Sequence, residues 1–332
     1  MTALVVTALV VTGCAATPDP TGPQGAPSPS ATAAAEQQRE TGLTPPAMVF
    51  GGKCDALFTD AELASVMGEP LALSTNHFAE LWGGDATFNQ LGAIECTWKS
   101  ESTRVIALVL PEGAVDYAPQ DAPCGGSHDT DLLSCPMEAV VNGIRLSGLS
   151  TLGLDPTAAA AARDALVGIF STKAAAQSPV PVPLPAIGSW LLPPDCTAAV
   201  AGADFSAVPG LGATATAGEG YGYGKDITQA EQALRGNWST FTCLIMGESV
   251  ELEFVPIGGA RWREQAIAAR ADASPLSLDG VEAAYAVPYQ DGATLVYAFS
   301  GPNMLVFPVK FTKNAAGIAT ALIASLDATA VS

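Results

Sequence analysis

Hydrophobic positions along this chain fall into two series that run in the same order, and each series starts at a cysteine. After Cys54, the stretch Thr59-Asp-Ala-Glu62 has the pattern of a capping box, in which the first and fourth residues satisfy each other's free backbone donors. Leu63, Val66 and Met67 follow at helical spacing, and Gly68 is placed to close the helix in the left-handed conformation. After Cys196, a similar apolar stretch ends at Gly210, at the same separation from its cysteine, although Pro209 and several glycines dilute it. Each series then passes through a loop-rich stretch to a second cysteine that enters a strand pair. In the first, Ile94-Glu-Cys96-Thr-Trp98 leads to Val105–Leu110 and Pro111; in the second, Phe241-Thr-Cys243-Leu-Ile-Met246 leads to Val250–Val255 and Pro256. Val250, Leu252 and Phe254 alternate with Glu251 and Glu253, the period of a half-buried strand. Further strands are expected over Ala139–Leu146 in the first series, and over Ala283–Val287, Thr294–Phe299 and Asn303–Val309 in the second. An Ala-rich helix ends each series, Pro156–Phe170 and Asn314–Leu326. The expectation is an α+β fold: two tandem, duplicated domains, each an antiparallel sheet packed with an N-terminal and a C-terminal helix.

The duplication also organises the cysteines. Apart from Cys14 there are six, Cys54, Cys96, Cys124, Cys135, Cys196 and Cys243, and none forms a Cys-x-x-Cys pair. An even count in an exported chain argues for disulfides, and six cysteines allow 15 pairings. If the two series are copies, Cys54 pairs with Cys96 and Cys196 with Cys243, each tying a first helix to its sheet. Cys124 and Cys135 then close the short loop between them.

Two stretches punctuate these series. Residues 14–47 are rich in Pro, Ala, Ser, Thr, Gly and Gln without an apolar period, the composition of a disordered tether. Residues 176–195 contain Ser178-Pro-Val-Pro-Val-Pro-Leu-Pro185, whose alternating prolines favour an extended linker. Trp190 and Leu191-Leu192 suggest that the linker's end packs onto a domain. The domains are therefore expected at 48–175 and 196–332. Ahead of the tether, an apolar run from Ala3 to Val11 precedes Val11-Thr12-Gly13-Cys14. This order resembles a bacterial lipoprotein signal peptide, here residues 1–13, with a lipobox ending at the cysteine that takes the lipid. The resemblance implies fatty acyl chains such as palmitate on Cys14, and so a protein held on the outer face of the cell membrane. Several chains make such attachment durable where one alone is marginal.

A cysteine before a capped helix ending in Gly, then Cys-x-Trp opening a strand, all behind a lipobox, resembles the secreted lipoproteins of high-GC Gram-positive bacteria, many of them in families of unknown function. Cys54, Gly68, Cys96 and Trp98 carry the resemblance. It implies a surface location and a binding or accessory role, and it transfers no catalytic residue.

Charge and chemistry narrow the functions without choosing one. The net charge is −19, which opposes nucleic acid and anionic lipid headgroups as partners. With two histidines, His77 and His128, and no paired ligand spacing, the chain carries no zinc motif, and no cofactor signature is present. Ser127-His128-Asp129 holds the residue types of a catalytic triad, but triad members come from separated elements. Asp121, Asp129 and Asp131 lack the graded spacing of a calcium loop. Asn237-Trp-Ser239 matches a glycosylation acceptor that a bacterial lipoprotein would seldom use. Gly218-Glu-Gly-Tyr-Gly-Tyr-Gly224-Lys225 places Tyr221 and Tyr223 on a glycine backbone, an adaptable contact surface. Trp262, between Arg261 and Arg263-Glu264, opens an expected helix through Arg270 on one of the few basic spots. Tyr221, Tyr223 and Trp262 are the candidate ligand contacts. The reading is a non-enzymatic envelope module that binds a small molecule, cell-wall material or a protein. The alternatives are a cell-wall hydrolase with a carboxylate site and a structural partner of another envelope protein.

Overall fold

The computed structural model describes residues 43–74, 84–118, 123–126, 132–153, 155–190, 196–212, 215–219, 228–230, 243–247, 251–289, 292–309 and 315–330. In the first half, a 3-10 turn over Val49–Gly52 leads into α1 (Cys54–Leu57) and α2 (Asp60–Met67). The capping box at the start of α2 is formed: the Glu62 N–H donates to Thr59 Oγ1, and the Glu62 carboxylate accepts from the Thr59 N–H. Gly68 ends the helix at φ 79°. Next come β1 (Ala72–Leu73), α3 (Gly84–Asn89), β2 (Ile94–Lys99), β3 (Arg104–Pro111), β4 (Gly125–Gly126), β5 (Leu133–Val141), β6 (Ile144–Leu152) and α4 (Pro156–Ala175). The strands form one antiparallel sheet in the order β1-β2-β3-β6-β5-β4. The stretch expected as a single strand over Ala139–Leu146 is instead the tip of a hairpin. Asn142 and Gly143, at φ 53° and 71°, form a two-residue turn that sets Val141 opposite Ile144. Asn-Gly is the pair best able to hold two successive left-handed residues. The short helix α3, in a stretch expected to be loop, is also new.

The second half contains α5 (Cys196–Ala199), β7 (Thr216–Glu219), β8 (Cys243–Met246), β9 (Glu251–Ile257), a 3-10 turn (Arg261–Arg263), α6 (Glu264–Ala268), β10 (Ser274–Leu276), β11 (Ala283–Pro288), β12 (Thr294–Ser300), β13 (Asn303–Val309) and α7 (Ala315–Asp327). Its sheet runs β10-β11-β12-β13-β9-β8-β7. From the β7 edge this is the order of the first sheet, with β10 added at the far end. The likeness extends to register. Cys96 stands opposite Ala107 and Cys243 opposite Phe254, and a two-residue turn joins β12 to β13 as one joins β5 to β6. The fold is therefore α+β, with two similar antiparallel domains. The helix after Cys196 is only one turn long, because Gly202, Pro209 and Gly210 interrupt the residues beyond it, with Gly210 at φ 86°. The helix expected from Trp262 to Arg270 is likewise short, a 3-10 turn continued by α6.

Each sheet packs its N-terminal and C-terminal helices on one face. In the first half, Cys96, Trp98, Val105, Ala107, Val109, Met137 and Leu146 meet Leu63 and Met67 of α2 and Leu166 and Phe170 of α4. Asp155 starts α4 by accepting from the Thr157 and Ala158 N–H groups, and Pro156 fits the first helical position. In the second half, Phe254, Val296, Leu305 and Phe307 meet Ile318, Leu322 and Leu326 of α7. The opposite faces are also covered, and here the halves exchange residues. Ala86 of α3 is buried in a cluster with Val255, Tyr297, Met304 and Val306 of the second sheet. Ala230 is buried with Leu108, Leu110 and Phe88 of the first half. The Pro-rich stretch runs along the same join. Val180 lies against the first core and Trp190 is buried in the second. The Trp190 indole N–H donates to Asp327 over 2.8 Å, and its backbone N–H donates to Asn303 Oδ1 over 2.9 Å.

Candidate functional site

The face of the first sheet turned away from α2 and α4 carries a polar cluster. Two cross-strand rows build it. Leu108, Ser147 and Glu138 stand side by side on β3, β6 and β5; the next row is Leu110, Arg145 and Val140. Residues opposite each other in a sheet share a face, so the buried positions of Leu108 and Leu110 fix the direction of the polar side chains beside them. The segment after β3 brings Tyr117 over this face.

Glu138 is the hub. Its carboxylate accepts from the Tyr117 hydroxyl at 2.8 Å and from the Ser147 hydroxyl at 2.5 Å. Ser147 Oγ in turn accepts from the Ala230 N–H at 2.9 Å, so a backbone group of the second half is joined to the cluster. The guanidinium of Arg145 lies 4.7 Å from the centroid of the Tyr117 ring, within cation–π range. Burial raises the Glu138 pKa, against the opposing pull of the Ser147 and Tyr117 hydrogen bonds and the Arg145 charge. Burial also pushes the Tyr117 phenol up to about 12, and the nearby Glu138 charge adds to that shift. A hydrogen bond from the Arg145 side chain pulls the Tyr117 pKa the other way, while Arg145 Nε and Nη1 are buried with no hydrogen-bond partner. Tyr117, Glu138 and Arg145 are half-buried, whereas Ser147 and Ala230 are fully buried, so the cluster has an inner sealed end and an outer accessible one.

The second sheet has the same rows in the same register without the polar groups. Val255, Val306 and Tyr297 replace Leu108, Ser147 and Glu138; Ile257, Met304 and Phe299 replace Leu110, Arg145 and Val140. All six are buried in one apolar cluster. On β9 this side also carries Glu251, exposed, and Glu253, half-buried and with its pKa raised by burial.

Of the candidate contacts taken from sequence, Trp262 falls elsewhere. Trp262 sits in the 3-10 turn, packs against the apolar cluster of the second sheet, and has a buried indole N–H with no partner. Its neighbour Arg261 is ion-paired with Glu264 and Glu282 and also donates to the Gly301 carbonyl, which pins the turn to the β12–β13 hairpin. Cys14, His77, Asp121, Ser127-His128-Asp129, Asp131, Tyr221, Tyr223 and Asn237-Trp-Ser239 lie outside the described residues. The three disulfides are Cys54–Cys96, Cys124–Cys135 and Cys196–Cys243, with S–S distances of 1.96, 2.04 and 2.17 Å. No helix among the described residues is long and apolar enough to cross a membrane.

Tyr117, Glu138, Arg145 and Ser147 were not singled out from sequence. The signal lay in Val141-Asn142-Gly143-Ile144. Once Asn-Gly is taken as a two-residue hairpin turn, Glu138 falls opposite Ser147 and Arg145 opposite Val140 by counting alone. Comparison with known proteins finds no family model, no curated protein and no solved structure that matches this chain.

Proposed function

We propose that this chain is a binding or accessory module of the bacterial cell envelope, held on the outer face of the membrane by acyl chains on Cys14. Its ligand is met at the Tyr117–Glu138–Arg145–Ser147 cluster, where the first sheet faces the second half. The observation that carries the binding reading is the contrast between the two sheets: positions that the fold fills with Tyr297, Met304 and Val306 in one half hold Glu138, Arg145 and Ser147 in the other. Buried polar groups are costly unless hydrogen-bonded, and within this cluster Arg145 Nε and Nη1 have no partner. The envelope address is supported by the lipobox-like Val11–Cys14 and by disulfides, which persist in oxidising compartments. The test is expression of the full chain in a bacterium able to lipidate exported proteins. The expected result is a membrane-bound protein whose N-terminal peptide carries acyl mass on Cys14, and a Cys14→Ala variant that is not acylated. Recovery of the wild-type chain unacylated, with reduced thiols, would remove the address.

A second reading, a hydrolase acting on cell-wall material, draws on one observation: burial raises the pKa of two carboxylates, Glu138 and Glu253, toward the protonated form a general acid needs. Turnover of a cell-wall polymer that vanishes in both Glu138→Gln and Glu253→Gln would favour it over binding.

A further inference from the structure

We propose that Arg145 is the anchor of a binding site for the carboxylate of a small-molecule ligand, with Tyr117 as the platform that holds the guanidinium in place. The inference deepens the binding reading above and rests on it. Three observations on this face lead to it. First, Arg145 is a cation without an ion-pair partner among the described residues, on a chain with 33 acidic and 14 basic side chains. Lys173 pairs with Glu62, Arg163 with Asp164, Arg261 with Glu264 and Glu282, and Arg270 with Asp272, whereas Arg145 has two buried nitrogens donating to nothing. A buried donor without an acceptor is costly, and more so when it is charged. Second, the nearest carboxylate does not meet that need. Both Glu138 oxygens are engaged by the Tyr117 and Ser147 hydroxyls, and Glu138 makes no salt bridge to Arg145. Third, the position does not need an arginine for folding, since Met304 fills it in the second sheet.

The chemistry of the ligand comes from the count of charges. One guanidinium balances one negative charge, and the chain's net charge of −19 disfavours a dianion, so a carboxylate fits better than a phosphate monoester. The Tyr117 ring 4.7 Å from Arg145 Cζ fixes the plane of the guanidinium and adds an aromatic surface for the apolar part of the ligand. Ser147 and Ala230 close the inner end, so the carboxylate enters from the half-buried side of Tyr117 and Glu138.

The test is nitrogen-15 NMR of the full chain, following the Arg145 side-chain Nε–H signal during titration with acetate, lactate, inorganic phosphate, chloride and N-acetylglucosamine. A saturable shift with acetate and lactate is expected, with no saturation by chloride. Acetate should also shift the neighbouring Tyr117 and Ala230 amides, and those shifts should be absent in Arg145→Met, a variant expected to keep the wild-type unfolding midpoint. Saturation by phosphate alone, equal shifts with every anion, or no shift with any carboxylate would overturn the carboxylate anchor. Saturable shifts at the Tyr117 and Ala230 amides with N-acetylglucosamine, without change at Arg145, would overturn it while leaving the binding reading in place. A silent cluster with every probe would count against both.

Discussion

The first and second sheets share strand order, hairpin register and the placement of one disulfide, yet their outer faces are opposite in character. On the helix-packed side the two halves agree: Cys96 and Cys243 are buried on corresponding strands, each bound to a cysteine at the start of a short helix. On the other side, Ser147, Glu138 and Arg145 stand where the second half has Val306, Tyr297 and Met304. The helix-facing rows are constrained by close packing, because any change in volume there is felt throughout the core. The outer rows are free to differ once a neighbouring segment covers them. One half has kept an apolar row that buries Ala86, and the other has a polar row that holds Ala230 through a hydroxyl.

The sharpest way to break this contrast is to move the arginine to the apolar sheet. Met304→Arg places a cation at a fully buried position inside an apolar cluster, and a stability loss of about 4 kcal/mol is expected in urea unfolding. The reverse change, Arg145→Met, should leave the unfolding midpoint unaltered, since it removes an unpaired charge. Equal losses from both changes would show that the two faces make the same demands.

The disulfides test the part that the halves share. Replacing Cys54 and Cys96 together, or Cys196 and Cys243 together, by alanine should cost about 4 kcal/mol in each case, since the closed loops span 42 and 47 residues. Thermal unfolding of the two double variants checks whether the costs match.

Asn303 sharpens the comparison at the join. It accepts the Trp190 and Gly259 N–H groups and donates to the Gly188 carbonyl, tying the linker to the β13 strand. Its counterpart in register, Ile144, is an apolar core residue. Asn303→Ala strands two buried donors, and a loss of about 3 kcal/mol is expected, with faster proteolysis between 176 and 190.

The smallest expected effect is the pH dependence from Glu138. Its folded pKa is raised, so the folded protein binds the proton more tightly than the unfolded chain does. The stabilisation is complete below the unfolded carboxyl pKa and is lost as pH rises through the raised folded value. Glu138→Gln removes this segment. The wild type should lose stability relative to the variant as pH climbs across that window, which denaturant unfolding at a series of pH values would show. An unchanged difference at every pH would mean that burial does not govern the proton affinity of Glu138.

The amino-acid sequence by itself determined the elements whose signals are local. The box Thr59–Glu62 and the terminal Gly68 bound α2, the Asp155-Pro156 pair starts α4, and period-two alternation marks β9. The spacing of the cysteines, read through the duplication, assigned Cys54–Cys96 and Cys196–Cys243, because positions repeat when a fold repeats, and left Cys124 and Cys135 as the third pair. The polar cluster was not legible in this way. Glu138 and Arg145 look like ordinary solvent-facing residues on half-buried strands, and whether such a residue meets water or another layer depends on what covers the sheet. Only the tertiary structure decided that, by laying Tyr117 and Ala230 over one sheet and Ala86 over the other. Local patterns set which face of a strand a side chain occupies; long-range packing sets the dielectric and the partners it finds there, and those decide its chemistry.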